Sequence, residues 1–248
     1  MRNLTDYTKN YIERPFEDMQ VAYRKKKVLE LIRNHEHRNI LEVGCGLDPF
    51  FNYYNDFEKL VIIEPSTIFY ENANNKIIKS KFLTSRVIVI NDYLENSINE
   101  LLKYEFDYII VSSLLHEIDN VSLFLEKLSC ILKIDTIVHI DVPNAYSFHR
   151  VLALEMGLID SVLEMSAYNL QFQQQMFDLA SLSNLIIKHG FRIINSGSYF
   201  IKPFTHKQMS EIIENKIIDV RVLDGFFRMT KYMPDLGSEI FVDFKIND

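Results

Sequence analysis

Five short aliphatic runs constrain this chain's fold more than any other feature: Asn39–Val43, Leu60–Ile63, Val87–Ile90, Tyr108–Val111 and Ile137–Ile140. They are rich in Ile and Val and scarcely alternate with polar residues. Strands buried on both faces read this way, as in a parallel sheet covered by helices. Helix-like stretches separate them. The clearest is Asp119 to Leu132, which places Val121, Phe124, Leu125, Leu128, Ile131 and Leu132 on one stripe, with Asp119 as the expected N-cap. A helix is also predicted before the first strand, over Phe16 to Asn34. Late in the chain, Asp178 starts and Gly190 stops a further helix. Phe191–Phe200 and Glu239–Phe244 then read as strands. The alternation predicts one α/β domain over residues 1–248, doubly wound and Rossmann-like, with ligands at the carboxyl ends of its strands.

The 248 residues are 48% apolar and 25% charged, the mix of a globular protein able to bury a core without staples. The two cysteines, Cys45 and Cys130, form no CxxC pair, which excludes a disulfide framework or zinc ribbon. A formal net charge of -7 argues against a nucleic-acid partner. The polar N-terminus lacks the apolar centre of a signal peptide, and the apolar runs are too short to cross a bilayer. A cytoplasmic location with no membrane partner is the expectation.

After the first strand comes Leu41-Glu42-Val43-Gly44-Cys45-Gly46-Leu47-Asp48-Pro49. Glycines at 44 and 46 permit a tight turn and close approach of a ligand to main-chain N–H groups. Glu64 ends the second strand 18 residues after Gly46, where it is placed to accept hydrogen bonds from ribose hydroxyls. Such a turn suits either a dinucleotide or S-adenosylmethionine. Two details decide between them. Pro49 replaces the third glycine of the dinucleotide fingerprint. Glu42 would repel a pyrophosphate but suits the ammonium of a methionine moiety.

Glu42-Val43-Gly44-Cys45-Gly46 resembles motif I of class I S-adenosylmethionine-dependent methyltransferases. The resemblance continues in Val61-Ile62-Ile63-Glu64-Pro65-Ser66, in Asn91-Asp92-Tyr93-Leu94, in the fourth-strand run Phe106 to His116 and in Lys188-His189-Gly190-Phe191. It implies a seven-stranded, mostly parallel sheet with a reversed last strand, S-adenosylmethionine as cofactor, and residues 1–36 as a helical lid. It implies cofactor contacts from Glu42, Gly44, Cys45, Gly46, Glu64, Pro65, Asp92 (toward the adenine), Tyr93 and Ser112. Arg24 is expected to meet the methionine carboxylate.

Residues 143–177 read as a helical, acceptor-side insertion after the fifth strand. Asn144, His149 and Arg150 offer a hydrogen bonder, a base and a cation within seven residues. The run Asp141 to Arg150, with Lys202-Pro203-Phe204 later, is similar to methyltransferases of surface-sugar and capsule biosynthesis. That similarity implies an O-methyltransferase whose small-molecule partner is a nucleotide-linked sugar. His149 and His116 are the candidate bases, since an alcohol acceptor must lose a proton. Asn144, Arg150 and Phe172 are the candidate acceptor contacts, and a homodimer is compatible with all of this. No metal is expected, because the fourth-strand turn carries Ser112-Ser113 where an acidic ligand would stand. An N-methyltransferase and a non-catalytic cofactor-binding subunit are the alternatives.

Overall fold

The computed structural model describes residues 8, 11–12, 14–165, 170 and 173–247. Seven strands form one sheet: β1 (Asn39–Val43), β2 (Lys59–Ile63), β3 (Val87–Ile90), β4 (Tyr108–Ser112), β5 (Ile137–Pro143), β6 (Phe191–Tyr199) and β7 (Glu239–Ile246). Their order across the sheet is β3-β2-β1-β4-β5-β7-β6. The pairs β1/β2, β1/β4, β2/β3 and β4/β5 are parallel, while β7 runs antiparallel to both neighbours. The expected reversed seventh strand is present, inserted between β5 and β6.

Strand periodicity sorts the core into two layers. Leu41, Val43, Val61, Ile63, Ile109 and Val111 face one side. There they pack against α5 (Val121–Ser129) and α7 (Leu179–Lys188). Ile40, Leu60, Ile62, Tyr108 and Ile110 face the other, against α1 (Glu17–Ile32) and α2 (Thr67–Ile77). Short helices α3 (Lys81–Arg86) and α4 (Ile98–Leu101) flank β3. The predicted stripe from Val121 to Leu132 is buried throughout, but the N-cap is Asn120, whose Oδ1 accepts from Leu123 N at 3.0 Å; Asp119 lies one residue outside. Asp178 does cap α7, in a reciprocal box with Ser181.

A third cluster ties the N-terminal segment to the far sheet edge. Phe16, Tyr23 and Leu31 pack with Tyr199, Phe200 and Phe241, and with Met209 of α8 (His206–Glu214) and Phe227 of α9 (Val220–Arg228). Tyr23 stacks on Phe200 with ring centroids 4.5 Å apart. Among the described residues of the insertion expected to be helical, the α-helix covers α6 (Phe148–Glu155) alone, and turns follow it. No helix among the described residues is long and apolar enough to cross a membrane.

Candidate cofactor and acceptor site

The strand order reverses between β1 and β4, and a crevice opens there at their carboxyl ends. It holds a cavity of about 460 Å³, within the range of small-molecule sites. Gly44 (φ 78°) and Gly46 (φ 56°) take left-handed backbone that side chains rarely adopt. A Cβ on Gly46 would meet nothing within 4 Å, so this turn stands open to the cavity. Glu64 closes one end. Its carboxylate accepts from Gly46 N at 3.0 Å and Ser66 N at 2.9 Å. Burial pushes its pKa up, and these N–H donors partly offset the rise. Cys45, Pro65, Tyr93 and Ser112, also expected as cofactor contacts, line the same space. Burial beside Glu64 and Glu42 drives the Cys45 thiol well above its ordinary range, so it is a filler of the turn.

Two positions on the expected cofactor wall lie elsewhere. Glu42 shares the face of Ile40, toward α1, and its carboxylate is already occupied. Lys25 Nζ lies 2.5 Å from Oε1, and Phe50 N donates to Oε2 at 2.9 Å. Alternation along β1 thus turns Glu42 toward α1, where it holds Lys25, rather than into the crevice. Asp92 is likewise absent from the wall. Its Oδ1 accepts from Tyr93 N and Asn96 Nδ2, both at 2.7 Å, so it folds its own turn while Tyr93 to Asn96 face the cavity.

The cationic end is built by α1. Arg24 and Lys25 both line the cavity. Arg24 reaches Glu17 (Nη1–Oε1, 2.9 Å) and Glu239 (Nε–Oε1, 3.2 Å), and Gln20 Nε2 donates to Glu239 at 2.7 Å. Burial alone would raise the Glu17 pKa, but Arg24 and Arg14 pull it down to about 2.

Below the crevice, His139 lies between two aspartates, fully buried. Its Nδ1 is 2.7 Å from Asp243 and its Nε2 3.0 Å from Asp141. Burial opposes its charge, but these two carboxylates raise its pKa to about 9. Asp141 Oδ1 also accepts from Ser113 N at 3.0 Å. Ser113 is held at φ 53° and lines the cavity, so the buried relay fixes the backbone where β4 ends.

The acceptor candidates separate. Asn144 spends its side chain on the scaffold, donating to Asp235 O (3.0 Å) and Gly237 O (2.9 Å) and accepting from Tyr146 N (2.9 Å). Arg150 donates to Val162 O and Glu164 O and so shapes the insertion. Phe172 lies outside the described residues. His116 is buried behind the wall, 3.6 Å from Glu117, and Glu117 faces the cavity instead. His149 Nδ1 is buried without a hydrogen bond. Burial, then Lys202 and Arg150, hold its pKa well below the usual histidine value, so the ring is neutral.

Lys25 is not among the residues the sequence reading singles out. The signal was there: Val21, Arg24, Lys25 and Val28 follow helical i, i+3, i+4, i+7 spacing, so Lys25 shares its stripe with Arg24. Lys202 entered only through a resemblance, and a lone lysine after a strand carries no pattern. Among the described residues, no group of three or more His, Cys, Asp or Glu is arranged to hold a metal.

Residues 16–196 match the family model of a methyltransferase domain. No curated protein matches the chain in sequence. Among solved structures, the fold is similar to a methyltransferase from Thermotoga maritima described as a possible histamine N-methyltransferase (18% identity, TM-score 0.61, all of both chains covered). It is also similar to the plantazolicin methyltransferase BamL, crystallised with a triazolic desmethylPZN analog and S-adenosylhomocysteine (15% identity, TM-score 0.61, 98% and 91% covered). A third is NodS, an N-methyltransferase from Bradyrhizobium japonicum, crystallised with S-adenosylhomocysteine (10% identity, TM-score 0.56, all of both chains covered).

Proposed function

Because the chain belongs to the methyltransferase-domain family, we propose that it methylates a hydroxyl of a small polar acceptor, a sugar carried on a nucleotide, with S-adenosylmethionine as donor. The cofactor, when bound, supplies a methyl group already activated on a sulfonium.

The single observation that carries the reading is the crevice between β1 and β4. It combines an open Gly44–Gly46 turn, a buried carboxylate at Glu64 and the cations Arg24 and Lys25. That donor set fits the group: Glu64 suits a ribose diol, the cations suit an amino-acid carboxylate, and Val43, Ile63, Leu114 and Phe124 provide apolar walls. Tyr11, Val21 and Ser113 also line the crevice. Positioning of this kind can supply roughly 7–11 kcal/mol of a barrier. His149 is the proposed base: its ring is neutral and its Nδ1 has no competing partner.

The direct test is a panel of nucleotide-linked sugars, other alcohols and small amines, read by release of S-adenosylhomocysteine and by mass gain of the acceptor. Methylation of a sugar hydroxyl is expected. Turnover confined to amines would replace the reading with N-methylation, and no turnover with any acceptor would favour a cofactor-binding subunit.

A further inference from the structure

We propose that Asp141 is a positioning residue for the cofactor: it stands behind the cavity and holds the Ser113–Leu114 wall in the shape that the cofactor meets. This rests on the cofactor reading above and names what keeps that wall in place.

Of the four non-glycine residues with left-handed φ among the described residues, Ser113 alone lines the cavity. Such backbone is strained for a residue with a Cβ and persists where the surroundings over-determine it. Here Asp141 does so twice. Ser113 N donates to Asp141 O at 2.9 Å and to Asp141 Oδ1 at 3.0 Å. The first bond continues the β4/β5 ladder past the Ser112–Asp141 pair, and any residue at 141 would supply it. The second is particular to the carboxylate. The turn at Ser113 then parts two leucines. Leu115 drops into the core, fully buried, while Leu114 stays on the cavity wall. There Leu114 Cδ2 stands 3.4 Å from where a Cβ on Gly44 would lie. Gly44 is pinned from its other side, its N donating to Ile63 O at 2.8 Å. Leu114 and Gly44 therefore face each other across the gap between β4 and β1, and the width of that gap follows the backbone at Ser113.

Asp141 is itself fixed from behind. Its Oδ2 accepts from His139 Nε2 at 3.0 Å, His139 Nδ1 donates to Asp243 Oδ1 at 2.7 Å, and Asn195 Nδ2 donates to Asp243 Oδ2 at 3.0 Å. This run of bonds crosses β5, β7 and β6, with His139, Asp141 and Asp243 all fully buried. None of the four residues lines the cavity. With His139 protonated, both ring nitrogens donate, so each carboxylate keeps a partner. A buried polar network satisfied in this way is rigid, because breaking any bond leaves a charged group dry and unpaired. Its contact with the cavity wall is the bond from Asp141 to Ser113 N.

The experiment uses the full chain, with S-adenosylhomocysteine as the calorimetric probe and amide hydrogen exchange followed by NMR on the free protein. Asp141→Ala should bind roughly tenfold or more weakly than the wild type, the scale of one hydrogen bond to a charged acceptor. Its Ser113 amide should also exchange faster. Two further variants separate positioning from a mere loss of stability. Asp141→Asn keeps an acceptor for Ser113 N and should recover most of the lost affinity. Asp141→Ala combined with Ser113→Gly should recover most of it too, because glycine holds φ near 53° without strain. Thermal unfolding establishes that each variant is folded at the titration temperature. Should Asp141→Ala not fold, Asp141→Leu, apolar and of similar shape, replaces it with the same expectations. A folded Asp141→Ala or Asp141→Leu with wild-type affinity would overturn the proposal, as would a loss that neither the Asn nor the Gly variant restores. Unchanged exchange at Ser113 would refute the hold on the wall, whatever binds there. Absence of saturable binding by the wild type would instead refute the cofactor reading on which the assignment rests.

Discussion

Replacing Glu64 with Gln isolates the carboxylate at the end of the cavity. The swap keeps the volume and removes the charge and one acceptor. Glu64 is 4% exposed, so its hydrogen bonds to a ligand are made out of water. A bond to a charged group contributes about 1.5–3 kcal/mol, and each 1.4 kcal/mol is tenfold in affinity, so a loss of roughly 10- to 100-fold is expected. The same carboxylate accepts from Gly46 and Ser66. The amide can serve only one of those N–H groups, so some loss of stability accompanies the loss of binding. The assay is therefore paired: calorimetric titration with S-adenosylhomocysteine, and thermal unfolding of the free protein to show that it is folded at the titration temperature. A folded Glu64→Gln that binds within about threefold of wild type would refute the placement of a ribose at this end.

Glu42→Gln should act on stability first, since it strands the Lys25 ammonium beneath α1. A loss of about 3–5 kcal/mol in chemical denaturation is expected, and less than about 1 would show that the pair is dispensable. Asn144→Ala should destabilise by about 2–3 kcal/mol while leaving cofactor affinity unchanged; a drop in acceptor affinity without loss of stability would restore Asn144 as a contact. His139 has a folded pKa of about 9, above its unfolded value. Its contribution is therefore fully present below about pH 6.5 and lost as pH rises through 9. Denaturation across that window should show the stability gap between wild type and His139→Asn shrinking; a constant gap would contradict a charged His139. His149→Ala should lower turnover by about 10²–10⁴-fold with little change in cofactor affinity, and an unaffected rate would remove it as the base.

The strands were legible because burial on both faces leaves runs that few other environments tolerate. Asn39–Val43 and Val87–Ile90 begin and end where the sequence places them. The Gly44–Gly46 turn and Glu64 were legible for a similar reason, since a strand followed at once by such a turn has few uses. What the sequence does not show is the direction of polar side chains at strand ends. Glu42 and Asp92 sit next to the crevice in sequence, but one faces α1 and the other caps its own turn, and only the pleat and the local hydrogen bonds settle this. The partners of Asn144 and Arg150 were hidden in the same way. Their groups are consumed by main-chain carbonyls of residues 235–237 and 162–164, partners that no local pattern announces. Lys202 was hidden for the opposite reason: it is buried near Arg14, Glu17 and Glu239, charges brought together from distant parts of the chain.

A crystal structure of the protein with S-adenosylhomocysteine tests the central claim most directly. The ribose hydroxyls are expected within hydrogen-bonding distance of Glu64, the amino-acid portion beside Gly44 with its carboxylate toward Arg24 or Lys25, and the sulfur facing Ser113 and the acceptor side. Density for the ligand anywhere but between β1 and β4, or a ribose turned away from Glu64, would contradict it.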